Sequence, residues 1–146
     1  MSLDVALLRS SFDLVVQRSP QVVARFYEIF FERYPMVRPM FGKSPDALER
    51  QQQMLTDALV AVLDHLEDAP WLNETLFALG KRHVGYGVRD EMYGWVGESL
   101  LAALGEAAGD AWTPELAAQW AAAFGAIRDM MLAGADEGRR ELVAAE

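Results

Sequence analysis

Cysteine is absent from the 146 residues, which removes disulfides, thiolate zinc sites, iron-sulfur clusters and a cysteine nucleophile together. Histidine is scarce, with two in the chain, and protein side chains alone can hardly supply the three or four ligands a zinc site needs. Long apolar runs are missing too. No stretch approaches the roughly 18 uninterrupted apolar residues of a membrane helix, so no membrane partner is expected. Positive charge is sparse: 13 Lys and Arg against 22 Asp and Glu leave a formal charge of -9. The basic residues are scattered, which disfavours nucleic acid, since phosphate binding depends on clustered cations. The one dense pair, Arg139-Arg140, stands beside Glu137 and Glu141 and reads as a solvated helix end. The N-terminal Met1-Ser2-Leu3-Asp4 carries an acid where a secretory signal carries basic residues. A cytoplasmic protein is expected.

What is present is helical. Apolar residues make up 52% of the chain, too many for a disordered segment. There is no Asn-Gly or Asp-Gly turn and no alternating run of Val, Ile or Thr. Ser19-Pro20, Ser44-Pro45 and Thr113-Pro114 each place a capping hydroxyl before a proline suited to the first helical turn. Pro70 after Asp68, and Asp90, mark further starts. Between them apolar residues follow the helical period. Leu8, Phe12 and Val15 form one stripe, and Val23, Phe26, Tyr27 and Phe30 the next. Pro35 and Pro39 bracket a short turn that ends at Phe41. Leu48, Leu55, Leu59, Val62 and Leu66 mark a long helix; Leu72, Leu76, Leu79 and His83 share a face that ends near Gly85 and Gly87. Met92, Val96, Leu100 and Leu104 make the following helix, and Leu116, Trp120, Phe124, Ile127 and Met131 the last. The spacing predicts an all-α domain over residues 1–146, with about six long helices and a short turn.

The two histidines differ in setting. His65 lies among acids in Asp64-His65-Leu66-Glu67 and reads as a surface residue. His83 continues a leucine stripe, where a neutral imidazole needs a hydrogen-bond partner or a metal, because unpaired buried nitrogens cost on the order of 1 to 3 kcal/mol. From spacing alone a satisfied core histidine is favoured over a ligand. A porphyrin changes the balance, because it brings four nitrogens of its own and asks the protein for a single axial imidazole.

Two blocks carry a resemblance. The first is Phe26-Tyr27-Glu28-Ile29-Phe30-Phe31-Glu32-Arg33-Tyr34-Pro35-Met36-Val37-Arg38-Pro39-Met40-Phe41. The second is Lys81-Arg82-His83-Val84-Gly85-Tyr86-Gly87-Val88, followed by Tyr93, Val96-Gly97-Glu98 and Leu100-Leu101. With Trp120, Phe124 and Gly125 as a third, weaker match, the chain resembles the bacterial haemoglobins and the globin domain of flavohaemoglobins over nearly its whole length. The resemblance implies a globin fold, a three-on-three helical sandwich around haem b. It implies His83 as the iron ligand, Tyr27, Gln51 and Leu55 facing the bound gas, and Phe41, Val88, Tyr93 and Val96 against the porphyrin. For Phe41, Leu55, Val88 and Val96 ordinary core packing is the plain alternative. Gln51 is placed ten residues after Phe41, the first of three consecutive glutamines; Leu55, Leu59 and Val62 share its side of the helix.

In flavohaemoglobins the tyrosine matching Tyr93 works with a glutamate on the proximal histidine. Here the glutamate's position falls on Ala135, with Asp136 and Glu137 adjacent but on other faces, and the carbonyl of Leu79 is the expected partner of His83 instead. Arg82 and Lys81 are candidates for the haem propionates by position. The implied function is reversible binding of oxygen, with nitric oxide and carbon monoxide as further ligands. Oxidation of nitric oxide to nitrate would need a separate reductase, since no glycine-rich dinucleotide motif is present. A gas sensor, or a haem-free interaction module acting through a partner protein, is the alternative, and a monomer or homodimer is expected.

Overall fold

The structure, a computed structural model, describes residues 3–145. Met1 and Ser2 of the N-terminal stretch lie outside the described residues, as does Glu146. The helices are α1 Val5–Arg18, α2 Val22–Arg33, α3 Pro45–Asp64, α4 Ala69–Gly85, α5 Asp90–Ala108 and α6 Pro114–Ala145. A 3-10 turn, Pro35–Met40, joins α2 to α3, and a shorter one, Gly109–Ala111, joins α5 to α6. The six long helices and the turn before Phe41 follow the sequence pattern; the second turn does not announce itself there. Gly109 opens it at φ +56°, a conformation that glycine takes at little cost.

Three expected caps form as hydrogen bonds. Ser44 accepts from the Ala47 N–H at 3.1 Å, Asp68 from Trp71 at 3.2 Å, and Thr113 from Leu116 at 3.1 Å. Each satisfies a backbone donor that the first turn leaves open. Ser19 departs from expectation. Its N–H closes α1 on the Val15 carbonyl at 2.8 Å, and α2 begins only at Val22, with Gln21 at its cap position and no side-chain cap. The Ser19 carbonyl instead accepts from the Val22 N–H at 3.0 Å, making a turn that precedes α2 rather than its cap.

The main core gathers Leu8, Phe12 and Val15 from α1, Phe26 and Phe30 from α2, Leu100 and Leu104 from α5, and Leu116 and Trp120 from α6. Each such side chain contributes about 1.5–3 kcal/mol when fully buried. Trp120 also donates its ring N–H to the buried Ser11 hydroxyl at 3.0 Å, fixing α6 to α1. A second, smaller core joins Val62 of α3, Leu72 and Leu76 of α4, Tyr93 of α5 and Met131 of α6.

The helix α3 is attached unevenly. Only Val62 and Leu63, near its C-terminal end, are fully buried. There Arg9 of α1 donates to the Leu63 carbonyl at 2.8 Å and the Asp64 carbonyl at 3.3 Å, occupying acceptors that a helix end leaves open. His65 is half-buried rather than a surface residue. Its Nδ1 meets the Ala61 carbonyl at 2.8 Å, and its ring stacks on Trp71 with centroids 3.8 Å apart. The apolar body of the imidazole is used to join the end of α3 to the start of α4. Among the described residues no helix is long and apolar enough to cross a membrane.

Candidate functional site

The buried face of α2 carries Phe26, Tyr27, Ile29 and Phe30. Tyr27 is 4% exposed, and its ring meets Phe41 edge-on at 5.7 Å. Phe41 arrives there because the 3-10 turn ends on it: its N–H donates to the Arg38 carbonyl at 3.1 Å. The Arg38 side chain returns to the Gly42 carbonyl at 3.1 Å and lies over the Phe31 ring at 5.0 Å. Sequence reasoning gave Arg38 no role. It locks the corner that presents Phe41, through contacts that run back along the chain and leave no periodic trace.

Gln51 lies two turns into α3, half-buried, with its side chain near the Tyr27 hydroxyl. Of its neighbours, Gln53 turns outward to Asp57 at 2.8 Å. Burial pushes the Tyr27 pKa above its ordinary value of 10, and the nearby Gln51 amide opposes this. The phenol therefore keeps its proton at neutral pH and remains a donor. Leu55 and Val96 are half-buried against the same core as Tyr27 and Phe41.

His83 stands in the last turn of α4, half-buried, with Nδ1 2.8 Å from the Leu79 carbonyl. A carbonyl only accepts, so Nδ1 holds the proton and Nε2 keeps its lone pair. Burial pushes the pKa of His83 down, the Leu79 hydrogen bond pulls it up, and nearby Arg82 lowers it. The net shift is downward and favours the neutral imidazole that metal ligation requires. The helix ends immediately afterwards. The N–H groups of Tyr86 and Val88 donate to the His83 carbonyl at 3.0 and 3.2 Å, and Gly87 makes the reversal at φ +82°, where a Cβ would be strained. That reversal delivers Val88 to the second core. Lys81 is engaged with Glu141 at 2.6 Å.

Tyr93, 6% exposed, approaches His83 with ring centroids 6.3 Å apart. Its hydroxyl is buried without a hydrogen-bond partner. Burial raises its pKa, Asp90 adds to the rise and Arg139 opposes it. Position 135 is a buried alanine, while Asp136 and Glu137 face Arg139 and Arg140. No carboxylate reaches Tyr93 from this part of α6. An unpaired buried hydroxyl is a net cost, so Tyr93→Phe should raise stability by about 1 kcal/mol. Thermal unfolding measures this, and a lower midpoint would show that the hydroxyl finds a partner in solution.

These residues form two groups. Tyr27, Phe41, Leu55 and Val96 belong with the main core, Gln51 lying near Tyr27, whereas Val88 and Tyr93 belong with the smaller one, with the His83 ring beside Tyr93. Among the described residues α3 makes no extensive contact with α4, and several large apolar side chains on either side remain half-buried. Among the described residues no cluster of three or more His, Asp or Glu could hold a bare metal ion. A broad apolar group that brings its own metal ligands, and asks for one neutral imidazole, fits this donor set. Haem meets both conditions.

Comparison with known proteins supports the same view. The family model described as Globin matches residues 24–131. The flavohemoprotein of Bordetella pertussis is 32% identical over 127 residues, covering 87% of this chain and 32% of that protein. The flavohemoprotein of Rhizobium meliloti is 32% identical over 125 residues, with 86% and 31% covered. The chain thus spans about a third of the length of these curated relatives. Among solved structures, a bacterial globin from Campylobacter jejuni shares the fold with a TM-score of 0.77 at 22% identity, covering 91% of this chain and 94% of that one. An engineered carbene transferase from Rhodothermus marinus has a TM-score of 0.77 at 28% identity, with 97% and 96% covered. With the family model matching most of its length and its helices arranged as in solved globins, the chain belongs to the globin family.

Proposed function

We propose that this chain binds haem b through Nε2 of His83 and reversibly holds a diatomic gas, oxygen foremost, between the iron and the side chains of Tyr27 and Gln51. The observation that carries the reading is the spent Nδ1 of His83. With its Nδ1–H donated to the Leu79 carbonyl, the ring is held in one orientation with one nitrogen free to ligate. Ferrous haem supplies an electron-rich iron that places partial negative charge on a diatomic ligand. Tyr27 and Gln51 are neutral donors suited to such charge, and burial makes their hydrogen bonds stronger than in water. Leu55 excludes water, and Phe41, Val88, Tyr93 and Val96 pack against the macrocycle.

The solved Rhodothermus marinus relative is described as a candidate nitric oxide dioxygenase, which supports oxidation of nitric oxide to nitrate as an activity of the same site. That reaction consumes an electron. Within these 146 residues no dinucleotide motif is present, so the electron comes from a reductase group outside this span, and we place the activity in the cytoplasm.

An absorption spectrum tests the reading. The purified protein is expected to show a strong Soret band that shifts with dithionite and again with carbon monoxide. A colourless protein that takes up no added haemin overturns it. Mixing the oxygenated protein with nitric oxide should yield nitrate within the mixing time; no nitrate would leave gas binding standing and remove the oxidative activity.

A further inference from the structure

The helix that carries His83 touches the rest of the fold chiefly along α6, and that contact is backbone on backbone. Gly80 of α4 is buried, and a Cβ built there would lie 1.9 Å from the Met131 carbonyl oxygen. Gly134 of α6 is the reciprocal case, its Cβ falling 1.9 Å from the Phe77 carbonyl oxygen. Further along, a Cβ at Gly138 would stand 3.1 Å from the Lys81 carbonyl oxygen and 3.4 Å from Val84 Cγ2. The three contacts climb α4 from Phe77 to Val84, past Leu79, whose carbonyl orients the imidazole.

The α6 side cannot easily yield. Leu116 and Trp120 are sunk in the main core, Met131 is buried, and Arg139 is bound to Asp90 of α5. The α4 side is held less firmly: Leu72 and Leu76 share the smaller core with Val62 of α3 and Tyr93 of α5, but α4 has no extensive contact with α3 among the described residues. The His83 ring is tied to its own helix through Leu79, so wherever α4 sits, the imidazole sits with it.

We propose that Gly80 and Gly134 are positioning residues for His83: the depth of this glycine seam sets how far the imidazole projects from α6 toward the distal side chains. The inference rests on the reading of His83 as the iron ligand. Real Cβ contacts essentially never fall under 3.0 Å, so an alanine at either position must move α4 off α6 by about 1 Å. That displacement alters the iron–imidazole bond without touching either bonded atom.

The test is resonance Raman spectroscopy of the ferrous, haem-loaded protein, read at the iron–imidazole stretching band. Gly80→Ala and Gly134→Ala are expected to move the band and to speed haem loss by about 10-fold, as when a metal ligand loses its supporting contacts. Gly138→Ala, with its 3.1 Å approach, should move it less and in the same direction. Gly94→Ala on α5 meets nothing within 4 Å and should leave it in place. Should the two severe variants fail to fold, Gly138→Ala decides. A band at the wild-type position in Gly138→Ala, whatever its melting midpoint, overturns the positioning role and makes the seam merely structural. A wild-type protein with pigment but no iron–imidazole band overturns the His83 reading itself, and the inference with it.

Discussion

Replacing His83 with alanine is expected to cost the protein its pigment. Loss of contacts that merely support a metal ligand lowers metal affinity about 10- to 100-fold; loss of the ligand should exceed that range. No second histidine can substitute, since His65 is tied to Ala61 and stacked on Trp71 at the α3–α4 corner. His83→Ala purified beside the wild type should therefore show the Soret band reduced by more than about 100-fold in retained haem under competition with an apoprotein acceptor. Added imidazole should restore part of it, because the truncation leaves room for a free ring on the proximal side. Circular dichroism separates this result from misfolding: the helical signal of the variant should match that of haem-stripped wild type. Full pigment with unchanged gas affinity would remove the functional reading at its root.

The second large effect is expected on the opposite side. Tyr27→Phe deletes a single oxygen atom from a side chain that is 4% exposed, leaving its ring contacts with Phe26 and Phe41. A hydrogen bond to a charged acceptor contributes about 1.5–3 kcal/mol, and each 1.4 kcal/mol is about tenfold in an equilibrium. Oxygen dissociation should accelerate roughly 10- to 100-fold in Tyr27→Phe and roughly 10-fold in Gln51→Leu. Because the two side chains are close neighbours that would donate to the same ligand, the double variant should show less than the product of the single effects. The Tyr27 pKa is raised, so its proton is present throughout the range below the ordinary value of 10, and the wild-type-to-variant ratio should stay flat between about pH 6 and 9. Stopped-flow displacement of oxygen by carbon monoxide gives these rates. Equal rates in all four proteins would show that neither donor reaches the ligand.

Much of this was readable from local pattern. The stripe through Leu72, Leu76 and Leu79 placed His83 on an apolar face, and hydroxyl–proline or acid–proline starts located α3, α4 and α6, because those signals act within one or two turns of chain. The register of Gln51 followed from the Leu55–Leu59–Val62 stripe by the same helical arithmetic. What escaped depends on distant segments meeting. Ser19 carries a capping hydroxyl, yet a turn from Ser19 to Val22 intervenes and moves the start of α2 past it. His65 looks solvated by its acidic neighbours, yet Trp71, six residues on, offers its face. The seam glycines read from sequence as weak helix formers costing about 1 kcal/mol each. Only the facing backbones of Phe77 and Met131 show why a Cβ is excluded. The orphaned Tyr93 hydroxyl was foreshadowed by Ala135, but its burial could be seen only once α4, α5 and α6 were assembled.

The attachment of α3 is deepest at Val62 and Leu63, where Arg9 clamps the helix end, and shallower along Leu48, Leu55 and Leu59, which are only partly buried against the main core. Gln51 sits on that shallower stretch. At 1.5 Å of rise per residue, the twelve residues from Leu63 to Gln51 span roughly 18 Å, so a swing of about 5° carries the glutamine by ~1.5 Å. Under the proposed gas binding, a tilt of that size would be enough to withdraw Gln51 from a two-atom guest while Tyr27 stays fixed on α2.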